Sequence, residues 1–272
     1  MRVDLHLHTI ASDGSWTPGE VVREAGRCGV GCIAVTDHDT TECVAETARL
    51  AEAAGIRLVT GVEISTTLNG RSFHILGYGI DPADRPLQDL LLHNRRLMTE
   101  VDHDSIRKLI AGGLAIDYDE YEAYCHDPAR GGWKSLNFLI DQGLCRDAAD
   151  YFANLFTEKR GIRFPDFPPP FAAIAAIRQA GGIAVLAHPG SSFHGSELTE
   201  TLDFFGREDI DGVECYHCSH GRNTIHTALE WCRRQDKLIT GGSDSHGSFI
   251  PARCLGFPSI TLQELALGDI II

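Results

Sequence analysis

The sequence predicts an α/β fold in which a parallel sheet or barrel gathers metal-binding side chains at one edge. Two observations support this. Strands and helices alternate with short connections near the start of the chain and again after residue 170, and polar residues repeatedly follow apolar runs. At 272 residues, the chain is long enough for one large α/β domain or for one domain that carries an insertion.

The first third of the chain contains the clearest signals for single elements. Thr17 is predicted to cap a helix in which Pro18 takes the first helical position and Glu20 completes a capping box. A second helix, rich in Ala and Glu, stops at Gly55. Apolar strands before, between and after these helices give the alternation that is typical of a parallel sheet or barrel.

The pattern changes near residue 81. The next stretch shows helical patterning without a convincing strand, and a Pro-rich segment at 164–170 has the composition of a stiff return linker. The alternation then resumes, so we expect an inserted helical subdomain, with an irregular excursion of the barrel as the alternative. The expected boundaries are a barrel domain at 1–85 and 165–272 and a helical subdomain at 86–164.

Histidines and carboxylates gather at the ends of the apolar runs. His6 and His8 share one face of the first strand, because side chains alternate along a strand. One such pair is weak evidence, but the same chemistry recurs at further strand ends, at His38, Glu63, His74, His188, Asp244 and His246. Catalytic residues of barrels come from the ends of several strands, so this pattern predicts a hydrolase that clusters metal ions.

These motifs together resemble the PHP (polymerase and histidinol phosphatase) family within the amidohydrolase superfamily. The matching segments follow one another in the family's order: DLHLHT at 4–9, SDG at 12–14, AVTDHD at 34–39, GVEIS at 61–65, HILG at 74–77, AHPG at 187–190 and GSDSH at 242–246. The resemblance implies a distorted (β/α)7 TIM-like barrel with up to three divalent metals at its mouth.

The resemblance also implies which residues would bind each of the three metals. The first metal would take His6, His8, Glu63 and Asp244. Glu63 would bridge to a second metal, held also by His74 and His188. The third would take Asp13, His38 and His246, although many family members have histidine where this chain has Asp13. An oxygen ligand at that position favours a hard ion such as Mn²⁺, with Fe or Zn as alternatives.

The chemistry of the ligand set is consistent with phosphate ester hydrolysis. A water held between two metals can lose a proton near neutral pH and attack phosphorus as hydroxide, while the metals neutralise the phosphoryl oxygens. Asp244 is a candidate to take the proton of this water. His217 follows a later strand and is a candidate to protonate the leaving oxygen, or else a surface or supporting histidine.

Substrate recognition requires cations or polar groups near the mouth. The resemblance points to basic residues in the insertion and to the loop after His188, and here both stretches depart from the family pattern. The candidate substrate-binding residues are Arg130, Lys134, Lys159, Arg160 and His194. A solvated surface position is the alternative for each of them.

The expected function is a metal-dependent phosphoesterase acting on a small phosphorylated metabolite, either a sugar phosphate or a cyclic phosphodiester that is then hydrolysed as the monoester. The alternative is a nucleoside 3′,5′-bisphosphate phosphatase or an exonuclease acting on the 5′ end of a short oligonucleotide. Histidinol phosphate phosphatase, amide or ester hydrolysis and a non-catalytic metal-binding module are weaker alternatives.

The composition limits the partners. With 38 acidic and 24 basic residues, the net charge of −14 argues against sequence-independent binding to duplex nucleic acid. No long apolar run predicts a membrane span, and no secretory segment is recognisable at the N-terminus. Nine cysteines without regular spacing are expected as thiols, so the cytoplasm is the expected location. The oligomeric state stays open.

Overall fold

The computed structural model describes residues 1–191 and 197–270. Its strands are β1 Arg2–Leu7, β2 Val30–Val35, β3 Arg57–Leu68, β4 Arg71–Tyr78, β5 Ile183–Leu186, β6 Gly212–His217, β7 Leu238–Gly242 and β8 Ile260–Thr261. They form one sheet in the spatial order β7-β6-β5-β4-β3-β2-β1-β8. Neighbours are parallel within β1–β2–β3 and within β5–β6–β7.

The sheet closes on itself between β1 and the residues that follow β7. Leu7 forms a parallel bridge with Ser245, and the His8 N–H donates to the Ser245 carbonyl at 2.9 Å. Gly242 suits this seam because a Cβ there would lie only 2.4 Å from the Cβ of His6. The predicted distorted (β/α)7 TIM-like barrel is therefore confirmed, with the short β8 added antiparallel to β1.

Strand β4 is antiparallel to both of its neighbours, β3 and β5. Asn69 and Gly70 both have positive φ, which is the conformation of a tight hairpin turn, and they join β3 to β4. Ser65 of β3 consequently pairs with His74 of β4. The reversal brings the first half of β4 to the mouth, so His74 reaches the site from within its strand and not from a strand end.

The α-helices of the described residues are α1 Pro18–Arg27, α2 Val44–Ala53, α3 Arg85–Ala111, α4 Tyr118–Ala123, α5 Lys134–Asp141, α6 Ala148–Asp150, α7 Pro170–Gln179, α8 Leu198–Arg207 and α9 Arg222–Gln235. Thr17 and Glu20 form the predicted capping box at the start of α1. None of the helices within 1–191 and 197–270 has the length and apolarity that a membrane span requires. The cytoplasmic location stays a prediction.

Helices α3 to α6 lie in the segment predicted as an insertion. Near the start of α3, Leu87 and Leu91 belong to a hydrophobic cluster of the barrel. Near its end, Ile106 and Leu109 belong to a separate cluster whose fully buried members come from residues 106–162. Since one helix contributes to both cores, α3 holds the helical segment against the barrel. The exact domain boundaries stay a prediction.

Candidate metal centre and active site

Glu63 on β3 is the centre of the candidate site at the mouth of the barrel. Its side chain is buried, and ring nitrogens of five histidines lie within 3.3 Å of its carboxylate oxygens: His6, His8, His38, His74 and His188. Burial alone would raise the pKa of Glu63, but the imidazoles, His6 first, hold it well below its ordinary value. An ionised carboxylate with nitrogen ligands around both oxygens is suited to bridge two metal ions.

Asp244 adds a second carboxylate directly after β7. Its Oδ1 lies 3.1 Å from His8 Nε2 and 3.5 Å from His6 Nε2. Asp244 and His188 have φ values of 53° and 28°. This left-handed region is energetically unfavourable for residues other than glycine, and such residues cluster at functional sites. Both side chains line the cavity at the mouth. The backbone thus holds two predicted ligands in an unfavourable conformation at the site.

Asp13, in the loop after β1, supplies the third carboxylate. Its Oδ1 lies 3.3 Å from His246 Nε2 and 3.8 Å from His8 Nδ1. Burial would raise the pKa of Asp13, but His246 and His38 hold it well below its ordinary value. An ionised oxygen therefore stands where the family resemblance leads us to expect a histidine.

Three overlapping groups of residues could each hold a divalent ion, with ligand atoms within 4.8 Å of one another. One group is His6, His8, Glu63 and Asp244, the set expected for the first metal. Another is His8, Asp13, His38 and His246, and a further group is His38, Glu63 and His74. His188 also approaches the centre, with its Nε2 2.9 Å from Glu63 Oε1. The fold therefore brings together all nine residues predicted as metal ligands.

Two buried ring nitrogens indicate that the candidate ligands suit metal ions. His8 Nε2 lies 3.2 Å and His38 Nδ1 lies 3.3 Å from Glu63 Oε2, yet neither makes a hydrogen bond within the described part of the chain. A buried polar group without a hydrogen bond costs about 1–3 kcal/mol. Imidazole nitrogens and carboxylate oxygens are ligands for divalent transition metals, which would satisfy both nitrogens.

The two histidines differ in charge. Burial opposes protonation of both, and it lowers the pKa of His38 to about 3. At His8 the burial effect is outweighed by the Asp244 and Glu63 carboxylates, which raise its pKa to about 10. Histidine binds metal as the neutral imidazole, so metal binding has to displace a proton from His8.

Two buried carboxylates that are not themselves candidate ligands, those of Glu214 and Asp4, hold candidate ligands or their backbone in position. The sequence analysis missed both. Glu214 on β6 lies 2.9 Å from His6 Nδ1 and accepts a hydrogen bond from the His188 backbone N–H at 2.8 Å. Asp4 accepts from the backbone N–H of Ser243 at 2.8 Å, just before Asp244. A carboxylate inside an apolar strand, as in GVECYH at 212–217, is the signal that could have found Glu214.

Replacing Glu214 with glutamine is expected to weaken metal binding about 10–100-fold, as is typical when the group that orients a ligating histidine is lost. Glu230→Gln is the matched control, because Glu230 is on α9 with a side chain that is 57% exposed. Competition with a metal chelator measures both affinities. Equal affinities in the two variants would show that Glu214 does not orient His6.

His217 and Arg253 both contact Asp244. His217 Nε2 lies 3.1 Å from Asp244 Oδ2, and its Nδ1 is hydrogen-bonded to Ser219 Oγ at 2.7 Å. Burial opposes its charge, but Glu214 and Asp244 raise the pKa of His217 to about 10. Arg253, which the sequence analysis missed, donates to the same Asp244 oxygen. A proton donor and a fixed positive charge therefore flank one carboxylate of the site.

The nine candidate metal ligands, which we call the ligand cluster, lie beside a cavity of about 450 Å³, and seven of them line it. Its lining also includes aromatic side chains, from Trp133, Tyr151, Phe152, Phe156, Phe164, Phe167 and Phe249. Among the described residues, the lysines and arginines that line it are Arg95 and Arg253. A cavity of this volume is within the size range of small-molecule sites.

Two predicted substrate-binding residues, Arg130 and Lys134, point to partners in the helical segment and do not line the cavity. Arg130 donates to both oxygens of Asp141, at 2.7 and 2.9 Å. Lys134 Nζ donates to the Glu122 carbonyl at 2.9 Å and lies 4.8 Å from the Tyr121 ring centroid. Their role in substrate binding stays a prediction.

The other three predicted substrate-binding residues are Lys159, Arg160 and His194. Lys159 and Arg160 line a separate groove together with Lys108. Arg160 there donates to the Asn154 carbonyl at 2.9 Å. His194 lies outside the described residues. Helical patterning in the sequence could not show which way the side chains of Lys159 and Arg160 point.

The comparisons with known proteins agree with this geometry. A family model described as "PHP domain" matches residues 4–138. The chain is 33% identical to the 3′,5′-nucleoside bisphosphate phosphatase of Chromobacterium violaceum, over 90% of this chain and 87% of that protein. It is 30% identical to the phosphoribosyl 1,2-cyclic phosphate 1,2-diphosphodiesterase of Eggerthella lenta, over 94% and 98% of the two chains.

A solved structure extends the likeness to three dimensions. The fold superposes on an amidohydrolase from Chromobacterium violaceum, solved with bound sulfate and no metal, with a TM-score of 0.81 and 30% identity. The match covers 94% of this chain and 90% of that one. The ligand cluster, the barrel and these relatives agree, and the chain belongs to the PHP family, as a metal-dependent phosphoesterase that hydrolyses phosphoric esters.

Proposed function

We propose that the cluster around Glu63 holds two to three divalent ions, with Mn²⁺ as the expected metal and Fe or Zn as alternatives. The proposed ligands are those of the sequence analysis: His6, His8, Asp13, His38, Glu63, His74, His188, Asp244 and His246. The observation that carries the proposal is the buried Glu63 carboxylate with ring nitrogens of five histidines within 3.3 Å. When bound, such ions activate water and neutralise phosphoryl oxygens.

Three residues of the chain have proposed roles in the reaction. Arg253 lines the cavity and would bind the phosphoryl oxygens as negative charge develops on them. The pKa of Asp244 is well below its ordinary value, because the surrounding histidines outweigh its burial. It is therefore ionised, and its position in the cavity lining beside His217 makes it the proposed acceptor of the proton of the attacking water. His217, protonated at neutral pH, would give a proton to the leaving oxygen.

The substrate we propose is a small phosphorylated metabolite, for which two classes are open. The first is a sugar phosphate or a cyclic phosphodiester, supported by the likeness to the Eggerthella lenta diphosphodiesterase. The second is a nucleoside 3′,5′-bisphosphate or the 5′ end of a short oligonucleotide. The likeness to the bisphosphate phosphatase and the aromatic lining of the cavity support this second class.

A substrate panel tests the proposed function. The Mn²⁺-loaded protein is expected to release phosphate from at least one phosphomonoester, cyclic phosphodiester or nucleoside bisphosphate, and not to cleave amides. The inactive protein with EDTA serves as the control. A folded protein that binds Mn²⁺ yet turns over none of these esters would contradict the proposal.

The fate of solvent oxygen tests the direct attack of water. Single-turnover hydrolysis in ¹⁸O-labelled water is expected to place the label in the phosphate product, since no side chain in the described cavity stands in a recognisable nucleophile motif. Mass spectrometry of the phosphate and of the alcohol measures this. Label in the alcohol, or in a carboxylate of the protein, would contradict direct attack on phosphorus.

A further inference from the structure

Asn94 is a polar residue on the face of α3 that packs against the barrel. It follows Leu87 and Leu91 at the spacing of one helix face, and both leucines belong to a hydrophobic cluster of the barrel. The side chain of Asn94 is buried, and its Oδ1 makes no hydrogen bond within residues 1–191 and 197–270. A buried acceptor without a hydrogen bond lowers stability. Packing of α3 alone therefore does not explain an asparagine at this position.

The amide nitrogen of Asn94 contacts two residues of the barrel. Nδ2 donates to Asp39 Oδ1 at 2.7 Å and to the Ser65 carbonyl at 2.9 Å. Both partners are acceptors, so the opposite orientation of the amide would place oxygen against oxygen. Asp39 Oδ1 also accepts from the Ser65 N–H at 3.1 Å. Helix α3, the loop after β2 and strand β3 are thus joined at one buried point.

This buried point adjoins two candidate metal ligands. Asp39 directly follows His38, and its φ of 51° is an unfavourable conformation that surrounding contacts have to maintain. Ser65 pairs with His74 across the β3–β4 hairpin. His38 and His74 belong together to one of the groups that could hold a divalent ion. The amide of Asn94 therefore holds the backbone beside two members of that group.

Helix α3 also forms part of the cavity directly after Asn94. The residues of α3 that line the cavity are Arg95, Met98, Thr99, Val101 and Asp102. The same helix contributes to the core of the helical segment near its end. One helix thus connects the helical segment, the cavity and the backbone beside the ligands.

We propose that Asn94 is a positioning residue that fixes His38 and His74 through Asp39 and Ser65. The metal centre then depends on the docking of the helical segment as well as on the barrel. This inference rests on the metal centre that we propose above. Loss of the Asn94 amide would weaken the ions bound by His38 and His74, and the ion bound by the other ligands of β1 and β7 would stay.

The experiment compares Asn94→Leu and Asn94→Ala with the unchanged chain and with Asn137→Leu. Asn137 is the matched control, because it is also a buried asparagine whose Nδ2 donates to two carbonyls, those of Gly131 and Trp133 at 2.8 and 3.1 Å. Its hydrogen bonds stay within the helical segment. Competition with a chelator gives the number of bound Mn²⁺ ions and their affinities, and thermal unfolding of the metal-free proteins gives their stability.

Both Asn94 variants are expected to bind one or two ions about 10–100-fold more weakly, the range for loss of a group that supports a ligand. At least one ion is expected to keep its affinity. Asn137→Leu is expected to keep all affinities, even if its unfolding temperature falls as far. Unchanged affinities in the Asn94 variants, or equal weakening in Asn137→Leu, would overturn the inference and leave the metal centre standing. Absence of Mn²⁺ binding by the unchanged chain would overturn both.

Hydrogen exchange tests the same coupling without any substitution. Coupling between two sites is reciprocal, so Mn²⁺ binding is expected to stabilise α3 around Asn94. In the unchanged chain, Mn²⁺ is expected to slow amide exchange at residues 91–97 by about tenfold or more, matching the lower end of the affinity change. Residues 104–111, at the other end of α3, are the internal control and are expected to show little change. Mn²⁺ binding without slower exchange at residues 91–97 would overturn the inference.

Discussion

Replacing Glu63 with glutamine is expected to remove most of the bound metal and to lower kcat/KM by more than about 100-fold, beyond the 10–100-fold typical for groups that only support a ligand. Glutamine keeps the shape of the side chain but not its charge. The ring nitrogens around Glu63 would then lose the carboxylate that we propose as the shared ligand of two ions. Metal analysis by plasma mass spectrometry and steady-state kinetics measure the two effects.

Asp13→Asn is the matched comparison for Glu63→Gln, because it also changes a carboxylate to an amide. Asp13 lies at the edge of the site and its side chain is 22% exposed, whereas the side chain of Glu63 is 1% exposed. We therefore expect Asp13→Asn to lose at most one ion and less activity. Equal losses in the two variants would contradict the central position of Glu63.

Replacing Arg253 with glutamine is expected to lower kcat/KM by about 100-fold while metal content stays unchanged. A cation aimed at the charge that develops in a transition state contributes on the order of 10²–10³ in rate. Arg253 lines the cavity, is 34% exposed at its side chain and is held by Asp244. Arg253→Lys is expected to restore part of the rate, since it keeps the charge without the planar guanidinium.

The double variant Lys159→Gln, Arg160→Gln is the control for Arg253→Gln. It removes more positive charge, but from the separate groove that also contains Lys108. We expect it to leave kcat/KM nearly unchanged. A larger loss in the double variant than in Arg253→Gln would support the substrate role predicted from the sequence for Lys159 and Arg160. Loss of metal in Arg253→Gln would show that Arg253 acts by holding Asp244.

The barrel and the gathering of candidate metal ligands at its mouth could be predicted from the sequence because much of the signal is local. A strand presents alternate residues on one face, so His6 and His8 belong together, and barrel topology brings strand ends to one mouth. The reversal of β4 has a local signal as well, in the hairpin turn at Asn69 and Gly70. Each of these features depends on residues close together in the chain.

The substrate side of the site could not be predicted in the same way. Arg253 follows β7 in a loop, where no periodicity fixes the direction of a side chain, and it meets Asp244 only through the path of that loop. Arg130 and Lys134 fall in helical patterning that does not show which face meets the cavity. The aromatic side chains among residues 133–164 line the cavity only because of how the helical segment packs. These positions follow from tertiary packing.

The most direct test of the metal site is anomalous X-ray diffraction from crystals grown with Mn²⁺. We expect anomalous peaks at Glu63, with one ion near His6, His8 and Asp244 and another near His74. Data collected above and below the manganese edge identify the metal. Ordered crystals that hold Mn²⁺ elsewhere, or show no peak at Glu63, would contradict the account.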